Sequence, residues 1–407
     1  MSETYGVSVS DFGALGDGQS DASPAIQAAL DSGAPRVVVP SGHYVLNKGL
    51  RIGSNTHLHA HPGAIFQFGD GAGASKDDFL LTNKDFEAGN RGIRVEGGIW
   101  HGNNLANPRG PDAPESYSGV MVNFTNVVDL TMRAMTLIDA ESYFIRFGGV
   151  QHFLVEDIDF EIKNLRPNQD GVHVSGNCSD GIIRRIRGHG SRTPNDDMVA
   201  LLADDALQRA QNLNGAFCAP IRRIRIENLR ASSCHSFVRL LSVDNPIEDI
   251  EISDVEGGCV CSAINMDACR DCRVKLFREE DRPGGVGLIR NIRAADFNVY
   301  KASDQSPQPL IDFRTRVENF RLERFTRDAA RDCAPRVATL QLERIDATDL
   351  TLEGHEELAV RQPPSARSLL PDGQEVPRLE VALAEGGTFT VGHGGFLALE
   401  ANPKQAR

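Results

Sequence analysis

The chain has 407 residues and is acidic, with 43 Lys and Arg against 56 Asp and Glu and a formal net charge of −13. This balance argues against nucleic acid as a partner, because such binding depends on Lys and Arg side chains that neutralise phosphates. No run of about 18 apolar residues occurs, so no membrane partner is expected.

The first residues, Met1 to Gly6, lack the charged start and apolar run of a secretory signal. We therefore expect a cytoplasmic protein, or a secreted one if a leader has been removed. The 8 cysteines are expected to be mostly reduced. Four of them have a spacing that zinc could use, but small buried hydrophobes are the favoured interpretation, and we predict no metal or cofactor. These four are Cys259, Cys261, Cys269 and Cys272.

The N-terminal segment reads as a capping unit of a larger sheet. Residues 7–12 alternate like a strand and lead into a glycine-rich turn. Ser23 is a candidate N-cap, Pro24 suits the first turn of a helix and Gly33 suits its end, which predicts a short helix between them. Another strand is expected at Arg36–Val39. The apolar face of the helix is expected to cover the open end of the sheet, where backbone groups are otherwise unpaired.

From about residue 92 onward, short alternating apolar segments recur every 23 to 40 residues or so, a period typical of stacked coils with loops of variable length. Several follow the pattern hydrophobic-x-x-hydrophobic-x-hydrophobic, as in residues 221–229. The single Trp argues against a propeller, and the repeat lacks the helix of a leucine-rich solenoid. The prediction is an all-β parallel β-helix with a short N-terminal capping helix. It forms one domain over 1–407, with a cap and first strands at 1–60, coils at 92–360 and a C-terminal tail or cap at 363–407.

Two acidic turns interrupt this repeat, at 168–174 and 195–201, and they lie about one coil apart. Neighbouring strands stack about 4.8 Å apart, so Asp170, Asp196 and Asp197 are expected to converge. A group of carboxyls on one face suits acid–base cleavage of a glycosidic bond, with repulsion raising the pKa of the acid. The alternative is that Asp-Gly and Asn-Asp-Asp are only turn residues.

A family resemblance supports the catalytic interpretation. The opening segment carries Asp11-Phe12-Gly13-Ala14, Gly16-Asp17-Gly18, Asp21, Ala25-Ile26-Gln27, Pro40, Gly42 and Tyr44. It resembles the opening segment of the pectate lyase superfamily, which implies a right-handed β-helix. Within that superfamily, the acidic turns and Gly98-Ile99-Trp100-x-Gly102-Asn103 resemble motifs of the polygalacturonase-type glycoside hydrolases, family 28. The resemblance implies an inverting hydrolase of the pectin-degrading type that uses no cofactor.

The resemblance also implies roles for individual residues. Asp196 matches the general acid, Asp170 and Asp197 match the pair that orients and deprotonates water, and Asn168 matches a polar support. Gln169 replaces the usual Thr. The family's Gly-His-Gly motif normally follows the paired aspartates, but Gly188-His189-Gly190 precedes them here, so His189 and His235 are both kept as candidates. The basic motif that grips a uronate retains Arg239 but not its lysine.

Other candidates have two interpretations each. His173 alternates with inward-pointing valines and is either a substrate contact or a surface residue without a role. Trp100 is either a sugar-stacking platform or an aromatic packed between coils. The pairs Asp204-Asp205 and Glu279-Glu280 are interpreted as solvated loop charges, and Arg166, Arg192 and Arg209 are weak candidates for contacting an anionic substrate.

The primary hypothesis is therefore a glycosidase that acts on an oligosaccharide or polysaccharide, with uronate among the candidate sugars. A β-helix lyase or another carbohydrate-modifying enzyme is the first alternative, and a non-catalytic carbohydrate-binding β-helix is the second. A homo-oligomer is compatible with the sequence.

Overall fold

The bent and straight segments of the chain stack into two long sheets. The structure is a computed structural model that describes residues 6–110, 115–209, 215–269, 276–335, 337, 339–342, 347–353, 358–360 and 397–401. Within these ranges we distinguish a bent sheet of sixteen strands and a straight sheet of twelve. Their strands pair almost entirely in parallel, so the predicted all-β parallel β-helix is confirmed. No helix in the described ranges has the length and apolar character needed to cross a membrane.

The bent sheet contains the longer strands. In chain order they are Val7–Ser8, Asp17–Asp21, Arg36–Val39, Gly42–Leu46, His57–Ala60, Ala64–Phe68, Asn90–Glu96, Ile99–His101, Val127–Ile138, Gln151–Glu161, Ser179–His189, Ile221–Cys234, Ile247–Cys259, Ile289–Lys301, Val317–Arg327 and Ala347–Glu353.

The straight sheet contains shorter strands. In chain order they are Leu50–Ile52, Leu81–Asn83, Val122–Thr125, Ile145–Gly148, Val172–Ser175, Asp197–Leu202, Ser236–Leu241, Ile264–Asp267, Ile311–Phe313, Leu340–Leu342, Leu358–Val360 and Leu397–Ala401. The last two pair antiparallel, and Leu397–Ala401 also lies antiparallel to Leu340–Leu342. It is the only described part of the predicted tail at 363–407, whose other residues lie outside the described ranges.

Single left-handed residues bend the long strands. The residues on either side of each left-handed residue pair with the neighbouring strand, so the left-handed residues of successive strands lie next to one another. They form two stacks along the bent sheet. Asn and Asp tolerate the left-handed conformation better than most residues, which explains their frequency in both stacks. The first stack contains Asp129, His152, Asp180, Arg223, Asp249, Asn291 and Asn319, and the second contains Ala134, Asp157, Arg185, Asn228, Asp254, Asp296 and Arg324.

The core is a column of inward-pointing apolar side chains. In the strand Ile221–Cys234, for example, Ile221, Ile224 and Ile226 are buried while Arg225 is exposed. This is the predicted alternation, and the extra residue in hydrophobic-x-x-hydrophobic is the left-handed Arg223.

The N-terminal helix spans Ser23–Asp31 and closes one end of this column, as predicted. Ile26, Ala29 and Leu30 are buried against it. The Gln27 side chain donates to Arg51 O and accepts from Arg51 N, both at 2.9 Å or less, so it satisfies backbone groups of the first straight-sheet strand. The other helices within the described ranges are a second, short α-helix at Ala206–Arg209 and two 3-10 turns at Val9–Phe12 and Glu279–Asp281.

Two local expectations at this end were wrong. The strand predicted for residues 7–12 stops at Ser8, because Ser8 and Asp11 form a reciprocal capping box that starts the 3-10 turn. Ser23 is the first helical residue rather than the N-cap, since its hydroxyl donates to Asp21 at 2.6 Å and Ala22 occupies the cap position.

Candidate active site

The two acidic turns lie side by side at the start of neighbouring strands. Val172 pairs with Val199 across Val172–Ser175 and Asp197–Leu202, and Gly171 N donates to Asp197 O at 2.9 Å. That register sets Asp170 next to Asp197, one strand spacing away. Gly171 is required here, because a Cβ would lie 2.5 Å from the carbonyl oxygen of Met198. The predicted convergence of the acidic turns is therefore confirmed.

The three carboxyls differ in exposure. Asp196 is the most open, with 21% of its side chain exposed, whereas Asp170 and Asp197 are buried. One Asp196 oxygen lies 3.4 Å from His235 Nδ1, and the other accepts a hydrogen bond from Asn168 Nδ2 at 3.4 Å. Asn168 and His235 thus contact Asp196 from two sides, as expected for site residues.

A polar pocket opens over Asp196 and Asp197. Asp170 backs this pocket and is not among its lining side chains in the described part of the chain. Direct contact between Asp170 and a reacting water therefore stays a prediction. The polar side chains that line the pocket belong to Asp196, Asp197, His235, Ser236, Arg239, Asn265, Asp267, Gln308 and Arg314.

Burial and mutual repulsion raise the pKa of the two inner carboxyls. Desolvation raises the pKa of Asp170, and the charge of Asp196 raises it further. The pKa of Asp197 lies well above its usual range for the same two reasons, in spite of the opposing charge of Arg239. Asp170 and Asp197 therefore retain protons at pH values where isolated aspartates have lost them.

Replacing Asp197 with Asn is expected to stabilise the fold at neutral pH. When the pKa of a carboxyl is higher in the folded than in the unfolded state, the folded protein loses stability as the pH rises above the unfolded pKa of 3.8. Asn carries no charge, so the variant should be more stable than the wild type at pH 7.

Urea denaturation at pH 7 and at pH 4 measures this difference. The advantage of Asp197→Asn should shrink at pH 4, where the unfolded carboxyl begins to hold its proton. Asp159→Asn, which alters a carboxyl on the bent sheet, is the matched control. A variant that is less stable than the wild type at both pH values would contradict the assignment.

Arg239 lies where a substrate anion or carboxylate could meet it. Its Nε donates to Asp267 at 2.9 Å, and its Nη1 lies 3.8 Å from Asp197. Burial lowers the pKa of Arg239, but the charges of Asp267 and Asp197 outweigh that effect and raise it. The side chain therefore stays a cation at the pocket wall, and its role in substrate binding stays a prediction.

His173 is buried, so the predicted substrate contact was wrong. The alternation correctly directed the side chain away from the core column, but residues of another loop cover it. Its ring stacks on Tyr143 at 3.9 Å, Nδ1 contacts Asp170 at 2.6 Å and Nε2 lies 3.4 Å from Asp205. Burial lowers the pKa of His173, and the charges of Asp205 and Asp170 raise it overall. The ring therefore holds Asp170 in place from behind.

Arg146 and Asp205 complete this buried support and were missed from sequence. Both are fully buried, and Arg146 Nη2 lies 3.3 Å from Asp205 and donates to Gly215 O at 2.6 Å. The interpretation of Asp204-Asp205 as solvated charges was wrong, since Asp204 is also buried and accepts three backbone hydrogen bonds from residues 243–245. The one available signal was an arginine inside the apolar run Phe144-Ile145-Arg146-Phe147.

Two further candidates lie outside the pocket. Trp100 is fully buried and stacks on Phe66 at 4.1 Å, with Nε1 donating to Gly97 O, so it is the packed aromatic and not a sugar platform. His189 is half-exposed at the end of a bent-sheet strand and pairs with Asp159 at 2.6 Å. His189 is thus not the histidine that lies beside Asp196 and Asp197.

Three of the four cysteines lie in the described residues, and each of the three has different neighbours. Cys259 contacts the Tyr300 carbonyl, Cys261 contacts His235 Nε2 at 3.1 Å and Cys269 lines the pocket. Cys272 lies outside the described residues.

Asp196, Asp197 and His235 have ligand atoms within 4.8 Å of one another, close enough for a shared cation. The chemistry of the group opposes one, because Arg239 already supplies a positive charge beside Asp197 and His235 carries a raised pKa. A protonated imidazole offers no lone pair to a metal. We assign no metal to this group.

The described residues form a parallel β-helix with an acidic pocket. The start of the chain is similar to pectate lyase-like right-handed β-helices. Residues 6–106 match the family described as rhamnogalacturonase A/epimerase, pectate lyase-like. The pre-neck appendage protein of Bacillus phage phi29 is 35% identical over 102 residues, which is 25% of this chain and 12% of the phage protein. A polygalacturonase of Persea americana is 21% identical over 311 residues, which is 73% of this chain and 60% of that protein.

Solved structures with the same fold belong to proteins of different kinds. The N-terminal fragment of bacteriophage phi29 gene product 12 aligns with a TM-score of 0.59 at 16% identity, over 85% of this chain and 56% of that one. PfbA, a surface adhesin of Streptococcus pneumoniae, aligns with a TM-score of 0.54 at 13% identity, over 86% and 88%. A family 28 exopolygalacturonase of Yersinia enterocolitica aligns with a TM-score of 0.51 at 14% identity, over 84% and 75%. At these identities the likeness establishes the fold alone.

Proposed function

We propose that this protein is a glycoside hydrolase that cleaves an oligosaccharide or polysaccharide by aspartate acid–base chemistry. Asp196, at the floor of the pocket, protonates the glycosidic oxygen as the bond to the leaving sugar breaks. Water attacks the anomeric carbon and passes its proton to the ionised form of Asp197, whose raised pKa makes that carboxylate a stronger base than an isolated aspartate. The assignment of Asp170 and Asp197 to the water comes from the resemblance to family 28. The inverting stereochemistry is carried over from the resemblance to family 28.

The observation that carries the proposal is the convergence of three carboxyls at one pocket. Burying Asp170 and Asp197 beside Asp196 works against folding, because like charges repel and desolvation penalises the ionised forms. Such a cost is typical of sites whose shifted pKa values serve a reaction. The 21% identity to a polygalacturonase over 73% of the chain supports the same chemistry.

A lyase is less well supported. β-Elimination needs a neutral base near the sugar carbon, and no lysine lines the pocket within the described residues. Arg239 is a poor base, because Asp267 and Asp197 raise its pKa and keep it protonated. An acidic pocket suits protonation of a leaving oxygen better than abstraction of a carbon-bound proton.

A panel of oligosaccharides, including uronate-containing ones, tests the proposal. Hydrolysis releases reducing ends without a new ultraviolet absorbance, whereas elimination produces an unsaturated, absorbing product. We expect reducing ends alone, released from at least one member of the panel. An absorbing product would contradict the hydrolase in favour of a lyase.

A carbohydrate-binding role without turnover is the second candidate, favoured by the likeness to a phage appendage protein and to an adhesin. It predicts saturable binding of a sugar that stays intact. Binding that is equal in the wild type and in Asp196→Asn, with no reducing ends from either, would support this candidate.

A further inference from the structure

Behind the acidic pocket, a cysteine faces the histidine that contacts the general acid. Cys261 Sγ lies 3.1 Å from His235 Nε2. The opposite ring nitrogen, Nδ1, lies 3.3 Å from Ser236 Oγ, 3.4 Å from Asp196 and 4.0 Å from Asp197. The imidazole therefore bridges the thiol and the carboxyl cluster. Cys261 is 8% exposed and about a third of the His235 side chain is exposed, so both are largely shielded from water.

We propose that Cys261 is a positioning residue whose thiolate holds His235 as an imidazolium directed at Asp196. With a proton on both ring nitrogens, Nε2 donates to sulfur, and Nδ1 can donate to Asp196 once that carboxyl has given its proton to the leaving oxygen. A thiolate is the stronger acceptor of that hydrogen bond, so the pair favours charge separation in which the thiol proton resides on the ring.

The charges around the pair favour this state. His235 faces Asp196, Asp197 and Cys261; burial lowers its pKa, but these partners outweigh burial and raise it to about 9. On the other side, burial raises the pKa of Cys261, while the hydrogen bond and charge of His235 lower it overall.

Further groups face the thiol. Ser306 hydrogen-bonds it, and the cation of Lys301, whose Nζ donates to Cys261 O, also favours the thiolate. Cys259 and Cys234, the other thiols near this group, are buried with raised pKa values and stay neutral. Of these three thiols, Cys261 is therefore the one that ionises most readily.

The pair has a consequence for the proposed reaction, and this step depends on the proposed function. When Asp196 gives its proton to the leaving oxygen it becomes an anion, and a fixed cation 3.4 Å away stabilises that anion as it forms. Without the thiolate, the ring loses one of the partners that raise its pKa, so it loses its charge at a lower pH than in the wild type.

The ultraviolet absorbance of thiolates, followed during a pH titration of the whole protein, tests the pair without any substrate. The wild type should show a thiolate below the ordinary cysteine range that disappears in Cys261→Ser and in His235→Gln. It should persist in Cys218→Ser and Cys333→Ser, the matched controls at exposed thiols. A wild type without that step, or a Cys261→Ser variant that keeps it, would overturn the proposal.

The second arm compares pH–rate profiles on a cleaved oligosaccharide. Cys261→Ser should lose activity by roughly tenfold or more at about pH 8, where a histidine of ordinary pKa is mostly neutral, and it should recover activity at acidic pH, where the ring is protonated. Cys261→Asp, which restores an anion, should keep most of the alkaline activity. Equal profiles for both variants would contradict the positioning role. If the thiolate appears in the titration but the protein cleaves no sugar, the Cys261–His235 pair is supported and the proposed hydrolase function is rejected.

Discussion

Asp196→Asn is expected to reduce the rate of glycosidic cleavage by roughly 10³-fold, within the range that a positioned general acid contributes. Asparagine keeps the size of the side chain and can still meet Asn168, but it has no proton to give to the leaving oxygen. Reducing-end release under saturating substrate measures the loss, and circular dichroism verifies that the β-helix remains folded.

Asp159→Asn is the matched control for that loss. Asp159 pairs with His189 on the bent sheet, outside the pocket, so the same chemical change there should leave the rate close to that of the wild type. If Asp196→Asn retained more than about a tenth of the activity, another group would have to be the acid, and the assignment would be wrong.

Arg146→Met is expected to destabilise the protein by about 3–5 kcal/mol, the cost of leaving buried charges without their partner. Arg146 is fully buried and lies against Asp205, which in turn lies 3.4 Å from His173. Removing the guanidinium leaves the buried Asp205 carboxyl without one of its cationic neighbours, and His173 is another. Because His173 holds Asp170, the change should also disturb the acidic pocket.

Chemical denaturation of Arg146→Met and Arg223→Met provides the comparison. Arg223 pairs with Asp180 on the exposed face of the bent sheet, and exposed pairs contribute about 0–1 kcal/mol. A loss as small in Arg146→Met as in Arg223→Met would show that the buried network does not hold the site.

The fold was largely predictable because it depends on local periodicity. The hydrophobic-x-x-hydrophobic-x-hydrophobic pattern of residues 221–226 contains both the inward alternation and the left-handed bend at Arg223. Each coil repeats that information, so errors in one segment do not accumulate. The exceptions, such as the 3-10 turn at Val9–Phe12, arise where side chains such as Ser8 and Asp11 compete with the sheet for backbone hydrogen bonds.

The site was predictable only in part. Stacking geometry requires that Asp170 meet Asp197, since both start neighbouring strands of one sheet. The burial of His173 was not predictable, because it depends on a covering loop and on Asp205. Asp205 in turn pairs with Arg146, which lies 59 residues earlier in the chain. Alternation along a strand distinguishes the core from the outer face, but it says nothing about what lies on that outer face.

The inward orientation of Trp100 was also not predictable from the sequence of its own strand. A three-residue strand is too short for alternation to show which way its aromatic faces, and the stacking partner of Trp100, Phe66, comes from a strand 34 residues earlier. Only the register between the two strands decides that the ring faces inward.

The most direct test of the central claim is a crystal structure of Asp196→Asn soaked with an oligosaccharide that the wild type cleaves or binds. We predict that a glycosidic oxygen lies within hydrogen-bond reach of residue 196, with Asp197 facing the anomeric carbon across a water. A sugar bound elsewhere on the β-helix, with the acidic pocket empty, would contradict hydrolysis by these aspartates.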